Sequence, residues 1–596
     1  MKNRSPIEIL CTKRYQCLFL ALLMSISLIS GCVLSAERSQ QPHEFAKRYA
    51  DWQKTLAPRQ DELEPPIPAQ NIPTPSRTKI ITPEAENVEK IHIYLDPGLP
   101  VSIINSIDLT QMVTTTDEQI ADFRIQVGSI SPEDGYSIRN WVYTLVAPFY
   151  TVPDGLSISA LTSFWRGESD AVRFFTQILL TAETHAAMLS LFGEPDDSIV
   201  EIVTKDELAE RALSDQSFLS ILPLEELNPH WKVLRIDEQS PMDDFFTPQA
   251  YPLTLKFWIE GNPGNLGYQE LTLKQDNYDP DLRTVLIMTG VTALTRATAY
   301  RMEIQGNHFP GQDVHAWFVA ADFVHISNEV PFANNCPIPD PIQTDLIFCS
   351  APERIELLEY IETDIIELSG NHMLDYGIPA MNLTLEMYAD RGWETYAGGW
   401  DISAAQSAAK LIHNGNKLAF LGCNPVGPPN AWAGDSRPGA AACGDYQWIL
   451  DEIVTLRAQG YLPIVTLQYF EDYTAYPSPK MIADFQRLAE AGAVMVSGSQ
   501  AHTPKAMVFH EGSFVHFGLG NLFFDQMEVY YGNTLMPGTR EAFIDRLVFY
   551  NGRLISVELL TTMLEDYARP RPMTFDERET LLSRIFNIAV EYLEER

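Results

Sequence analysis

DIIELSGNHMLDYG, residues 364–377, decides the fold of the second half of this chain. Ile365, Ile366 and Leu368 make an apolar run of strand length that stops at Gly370. Asn371, His372 and Asp375 follow at once, on what the pattern predicts to be a loop. Two other runs read the same way. LPIVTLQ at 462–468 is a buried strand with Gln468 at its end and Glu471 just beyond. VMVSGS at 494–499 ends at Gly498, with Gln500 and His502 after it. Polar groups gathered beyond strand ends are where open α/β sheets place ligands. An Asn or His side chain offers a lone pair to a divalent metal, and a neighbouring His can donate a proton to a leaving oxygen. Plain structural roles stand beside this: Asp375 and Tyr376 can make a turn, Asn521 can cap a loop, and His510 and His516 read as strand-face residues.

Several blocks along the same half resemble the CapA/PgsA capsule-synthesis family. They are TVLIMTGVTALTR at 284–296, FVHISNEVPF at 323–332, residues 364–377 above, and the long stretch 491–526 ending in GLGNLFFDQ. YAGGWDISAAQSA at 396–408 and LPIVTLQYFEDY at 462–473 lie between them in the family's order. The resemblance implies a calcineurin-like, metallophosphoesterase-type α/β sandwich with a metal site at strand ends. It also implies a place in capsule polysaccharide or poly-γ-glutamate synthesis and export. Carried over residue by residue, it makes His372 and Asp375 the catalytic pair and Asn371, His502 and Glu329 the metal ligands. Asn328, Glu471, Gln468, Gln500 and Asn521 are the substrate-side residues. The sequence departs from the family at three ligand positions: Val291 replaces an Asp, Gln468 a His, and Gln500 the first His of Gly-x-His-x-His. Amide groups bind Mn, Zn or Fe far more weakly than carboxylate or imidazole. The expectation is a degenerate site holding at most one divalent metal weakly.

Upstream, residues 89–262 alternate strand-length and helical patterns, which argues a mostly parallel sheet. VYTLVAPFYTVPDGLSISALTSFWRGESD and SFLSILPLEELNPHWKVLRIDEQSP resemble the interlobe stretches of type 2 periplasmic solute-binding proteins. That family often binds oxyanions at a helix N-terminus. Here Asp96-Pro97-Gly98-Leu99-Pro100 stands at that place, and its two prolines remove two amide donors. Trp165, Arg166 and Ser169 are candidates for a cleft, with Trp165 equally a core residue. The expected fold class is thus α/β in two domains: a solute-binding-protein-like domain at 89–262 and a calcineurin-like domain at 284–566. A polar linker at 263–283 joins them, and an amphipathic C-terminal helix lies within 567–596, with Leu581, Leu582, Ile585, Ile588 and Leu593 on one side.

The start of the chain reads as an address. Lys2, Arg4, Lys13 and Arg14 precede an apolar run at 17–29, and Ile29-Ser30-Gly31-Cys32 resembles a lipoprotein cleavage site. Residues 1–32 are therefore expected to be a signal peptide with lipidation at Cys32, the competing reading being an uncleaved membrane anchor. Residues 33–88, with seven prolines between Pro58 and Pro83, form a tether, interrupted by a short helix at 43–56. The expected location is the outer face of the cell membrane, tethered by lipid, with membrane subunits of a polymer export system as partners. A net charge of −37 makes nucleic acid a poor partner. Cys336, Cys349, Cys423 and Cys443 then remain in an oxidising compartment. Three pairings are possible. Cys336–Cys349 and Cys423–Cys443 close the shortest loops, and four buried thiols are the alternative. Two function classes stay open: a capsule-assembly component, with or without hydrolase activity, and a catalytically silent solute-binding lipoprotein.

Overall fold

The computed structural model describes residues 91–594 except 108, 110–111, 130–135, 169–171, 262–274, 528, 532–533 and 537. The expected leader, Cys32, the 33–88 tether and its helix, and Ser169 lie outside the described residues. All described residues fall within one compact unit.

The first sheet has nine strands. They are β1 (Ile91–Leu95), β2 (Met112–Thr115), β3 (Phe123–Gly128), β4 (Tyr136–Pro148), β5 (Gln177–Leu180), β6 (Val200–Ile202), β7 (Phe218–Pro223), β8 (Trp231–Val233) and β9 (Thr254–Gly261). Their order is β2-β1-β3-β9-β4-β7-β5-β6, with β8 also paired to β4. The sheet is mixed, not mostly parallel. Two parallel blocks, β2-β1-β3 and β7-β5-β6, are joined through β9 and β4, each antiparallel to its neighbours. Strand-and-helix alternation marks the parallel blocks, whereas the late return strand β9 pairs with strands far upstream and leaves no such local pattern. In β4, Trp141 to Ala147 are all buried, so the strand is central and covered on both faces. Trp165 belongs to this core: it is fully buried, and its indole N–H donates to Gly193 O at 3.0 Å.

The second half forms two facing sheets. One runs β14 (Glu394–Tyr396), β13 (Ile365–Glu367), β12 (Phe323–Asn328), β10 (Arg283–Thr289), β22 (Glu541–Tyr550), β23 (Arg553–Glu565), β24 (Arg569–Pro572). The short β11 (Val291–Thr292) continues β10 and lies between β12 and β21 (Asn521–Phe523). The other runs β15 (Ala409–His413), β16 (Asn416–Cys423), β17 (Leu462–Leu467), β18 (Met495–Ser497), β20 (Ser513–His516), β19 (Met507–His510). Leu286, Met288, Phe420, Ile464, Met495 and Leu547 fill the space between them. Ile287, Val324, Ile326 and Ile366 point the other way and pack under Met381, Leu385 and Tyr388 of helix α1 (Gly377–Ala389). This is a two-layer sandwich with helices outside, and period-2 alternation in strands buried on both faces builds it.

Three expected boundaries shift. The described part of the 263–283 linker is anchored, because Asp276 and Asn277 accept the N–H groups of Asn140 and Val142 at 3.0 and 2.7 Å. β24 pairs with β23 through Leu564–Pro570, so residues 569–572 belong to the sandwich. The terminal helix α2 (Phe575–Glu594) starts after it and buries Leu581, Leu582, Ile585 and Ile588. The side chain of Leu593 lies outside the described residues. No helix among the described residues is long and apolar enough to cross a membrane.

Candidate functional site

Five chain segments meet where the parallel strands of the sandwich end. Asn328 and Glu329 close β12, residues 369–375 follow β13, Gln468 to Glu471 follow β17, and residues 498–502 follow β18. Val291 in β11 sits between Ser327 and Asn521 by register. Two glycines allow the loops to approach. A Cβ on Gly370 would lie 2.9 Å from the Glu329 Cα, and one on Gly498 would lie 2.1 Å from Phe517 O. Both contacts are with backbone, which cannot swing aside.

Glu329, Glu471 and His502 place one ligand atom each within 4.8 Å of one another. His502 Nε2 is 3.3 Å from the Glu471 carboxylate, and its Nδ1 is 2.8 Å from Asn521 Oδ1. Burial works against charge on His502, but the hydrogen bond and charge of Glu471, helped by Glu329, raise its pKa to about 9. Burial likewise opposes charge on Glu471, and His502 outweighs it, holding that carboxyl at about 2. The imidazolium and Glu471 thus form an ion pair. Glu329 is almost fully buried, and burial raises its pKa against the pull of His502 and His372. Its Oε1 has no hydrogen-bond donor.

His372 joins this field. Its Nδ1 lies 2.7 Å from Asp375 Oδ2, which also accepts the Phe348 N–H at 2.8 Å. Burial disfavours the imidazolium, but Asp375 and the charges of Glu329 and Glu471 raise its pKa overall. Asp375 therefore both makes the turn and orients His372. Asn371 Oδ1 sits at the long limit of a hydrogen bond, 3.5 Å, from Gln468 Nε2. Gln500 donates to Ser327 Oγ, and the Oε1 atoms of Gln468 and Gln500 are buried without a donor.

Asn328 and Asn521 differ from expectation. Asn328 donates to Val330 O and Tyr388 Oη at 2.7 and 2.8 Å, and Asn521 donates to His502 O and Thr539 O at 3.2 and 3.0 Å. Both are buried and hold loops together, where the resemblance suggested substrate contact. Val291 lies in a small apolar cluster with Ala293, Val330, Phe348 and Phe524. His516 is a strand-face residue in a buried pair with Asp545 at 2.7 Å, and His510 bonds Glu490 at the surface.

Sequence reasoning missed two features. Arg296 ion-pairs with Asp525 and lies 5.1 and 4.8 Å over the rings of Phe348 and Phe524. Arg296 ends one of the blocks quoted above and Asp525 is next to last in another, and that was a readable signal. Beneath the site, fully buried Glu367 accepts from Ser369 and Ser499. Burial raises its pKa, and burial also lowers that of adjacent His325 to about 3. With His325 neutral, their 4.0 Å approach is no ion pair. A carboxylate inside the apolar run 365–368 was the available sign.

The donor set fits one divalent cation: two carboxylates, one of them buried with an orphaned oxygen, and one imidazole. It does not fit two, because Val291, Gln468 and Gln500 supply no charged or imidazole ligand on the other side. The disulfides are Cys336–Cys349 and Cys423–Cys443.

Residues 285–526 match the sequence profile of the family described as bacterial capsule synthesis protein PGA_cap. The chain is 23% identical over 254 residues to a probable polyglutamine synthesis accessory protein of Mycobacterium tuberculosis, covering 40% of this chain and 67% of that one. It is 23% identical over 218 residues to the PGA biosynthesis protein CapA of Bacillus subtilis, covering 36% of this chain and 56% of that one. Among solved structures, an ABC-type phosphate transport receptor from Vibrio cholerae covers 30% of this chain and 90% of its own at 11% identity and a TM-score of 0.25. Haemophilus influenzae NAD nucleotidase covers 51% of this chain and 55% of its own at 10% identity and a TM-score of 0.30. Neither structural likeness is close enough to bear on activity. Residues 285–526 thus resemble the bacterial capsule synthesis protein PGA_cap family, and the match is confined to the second half of the chain.

Proposed function

We propose that this protein is an accessory factor in capsule polysaccharide or poly-γ-glutamate synthesis, lipid-tethered at Cys32 outside the cell membrane, with a degenerate metallophosphoesterase-type site. The family match over residues 285–526 and the relatives named for polyglutamine synthesis and PGA biosynthesis support the pathway. One observation carries the degenerate reading. Glu329, Glu471 and His502 survive as a one-cation cluster, while Val291 is apolar and Gln468 and Gln500 are neutral. A bound Mn, Zn or Fe ion would stabilise negative charge on a substrate oxygen. The chain's own residues do the rest. His372, turned by Asp375, is the group that would present a proton to a leaving oxygen were the site complete. Glu329 and Glu471 add negative charge that selects against an anionic substrate unless a cation is bound.

The test is metal analysis of the purified mature protein, with phosphodiesterase and γ-glutamyl substrate assays. The expected result is substoichiometric metal and no turnover. Stoichiometric metal with phosphoester cleavage abolished by Glu329→Gln would replace this reading with an active hydrolase. Membrane attachment that survives Cys32→Ser would remove the lipid tether.

A further inference from the structure

A surface hollow is lined by Thr295, Arg296, Gln343, Arg354 and Tyr376, with Pro337, Ile338 and Ile347 as its apolar side. It holds about 280 Å³ of space, its open mouth included. No Asp or Glu of the described residues lines it, in a chain whose net charge is −37. Its walls are fixed. The Cys336–Cys349 disulfide closes the loop that carries the apolar side, and Gln343 Nε2 donates within that loop to Asp345 O and Ile347 O at 2.8 and 2.9 Å. Arg296 has a φ of +44°, a left-handed backbone that non-glycine residues rarely adopt and that clusters at binding sites.

Arg354 is the group that calls for a ligand. Its side chain is 3% exposed, and among the described residues it makes one hydrogen bond, to Glu303 at 3.3 Å. A guanidinium carries five N–H donors. Glu303 is 59% exposed, so solvent screens its charge. A buried cation this sparsely paired is costly, and an anion that accepts from it offsets the cost. Arg296 is better paired, because Asp525 accepts from it and from the Ala297 N–H. Its Nε is nevertheless buried without an acceptor. One carboxylate already stands beside each arginine, so the charge left over suits a singly charged, planar oxyanion better than a phosphate dianion. The apolar side suits the carbons that carry it.

We propose that this hollow binds a carboxylate group, held by Arg354 and Arg296, with the carbons of its ligand against Ile338 and Ile347. Arg296 lies 5.1 Å over the Phe348 ring, which is 4.6 Å from the ring of His372, so the hollow adjoins the strand-end site. Under the capsule-assembly reading the carboxylate belongs to a γ-glutamyl or a uronic-acid chain. The site itself does not rest on that reading.

Titration calorimetry on the full chain with glutarate tests the site, with inorganic phosphate as a competing probe. Glutarate should bind, and equimolar phosphate should not displace it. Arg354→Lys keeps the charge but loses the planar fork, and should weaken binding at least about tenfold. Glu303→Gln should tighten it, because that carboxylate competes for Arg354. Glu303 is exposed, so this variant keeps the fold even if Arg354→Lys does not. A γ-glutamyl trimer and a galacturonate trimer then separate the two sources, the ligand being the one that binds through Arg354. Glutarate bound through Arg354 with neither trimer bound keeps the site and removes the capsule-polymer source. No heat with glutarate from folded protein overturns the proposal, as does its displacement by equimolar phosphate. Unchanged binding in folded Arg354→Lys, or weaker binding in Glu303→Gln, also overturns it.

Discussion

At the scale of single residues, Val291 is the most informative departure in the chain. It lies in β11 between Ser327 and Asn521, packed with Ala293, Val330, Phe348 and Phe524. A carboxylate there would be buried among apolar groups, and without a counter-ion it would cost more than about 3 kcal/mol. Val291→Asp alone should therefore lower the melting temperature. Combined with Gln468→His and Gln500→His, the same carboxylate gains a reason to be charged. The triple variant should bind Mn²⁺ at least about a hundredfold more tightly than the natural protein. Added Mn²⁺ should then restore its melting temperature. Titration followed by calorimetry and thermal melts would show both effects. A triple variant whose stability ignores Mn²⁺ would mean that these three positions do not face one ion. Much of this site was legible in the sequence, because a strand that stops at Gly370 or Gly498 delivers its next polar residues to one end of the sandwich. The inward turn of Asn328 and Asn521 was not legible. Whether a buried amide meets solvent or a carbonyl depends on partners such as Tyr388 and Thr539, far away in sequence.

Among elements, loops and the terminal helix are fixed by covalent and ionic ties. Cys423–Cys443 closes a loop of separation 20 that returns to the end of β16, beside the Asn424 side chain that donates to Ser369 O at 3.0 Å. Replacing both cysteines by Ser should destabilise the sandwich by about 2–4 kcal/mol. It should also loosen the residue 369–375 loop that carries His372, seen as faster amide exchange there than in β22. Peptide mapping that finds free thiols at these positions in the native protein would void the premise. Helix α2 is held by Arg578, whose guanidinium donates to Asp154 at 2.7 and 2.8 Å, and Lys232 reaches the same carboxylate at 2.8 Å. Burial opposes charge on Asp154, but the two cations lower its pKa from 3.8 to about 2. A depressed carboxyl contributes stability above its unfolded value and loses it as pH falls through about 2. Half of the Asp154 side chain is exposed, so solvent screens the effect and it is modest. Asp154→Asn should melt below the natural protein at pH 6, and the two should converge between pH 4 and 2. A gap constant across that range would assign the loss to packing. The helix itself was plain in the sequence from Leu581, Leu582 and Ile585. Its anchoring was not, because Asp154 and Arg578 lie more than four hundred residues apart.

For the whole molecule, the question is whether the two expected domains behave as two. Their cores are not separate. Val285, Val548, Tyr550 and Ile555 of the sandwich lie in the same buried cluster as Trp141, Phe257 and Leu255 of the first sheet. In return, Phe149, just past β4, enters the sandwich core, edge-on to Phe509 and Phe514 at 5.0 and 5.6 Å. Tyr150 Oη donates to Met507 O at 3.3 Å, and Arg283 and Arg546 both donate to Met242 O at 2.8 Å. Periodicity along the chain shows which faces are apolar but not which apolar faces meet, so a Pro- and Gly-containing stretch reads as a free linker even where both flanks share a core. Buried aromatic contacts of this kind make unfolding of one part expose the other, and coupling of that strength favours a single transition. Calorimetry on the mature chain should therefore show one cooperative endotherm. Phe149→Ala should cost about 3–5 kcal/mol, since it empties a well-packed aromatic site. That loss should appear in probes placed in either half: near-ultraviolet signals from Trp141 in the first sheet should fade at the same temperature as protection of β22 in the sandwich. A fragment beginning at residue 284 should be poorly soluble, because Phe509 and Phe514 would lose their cover. Two resolved endotherms, with Phe149→Ala moving only one of them, would restore the two-domain picture.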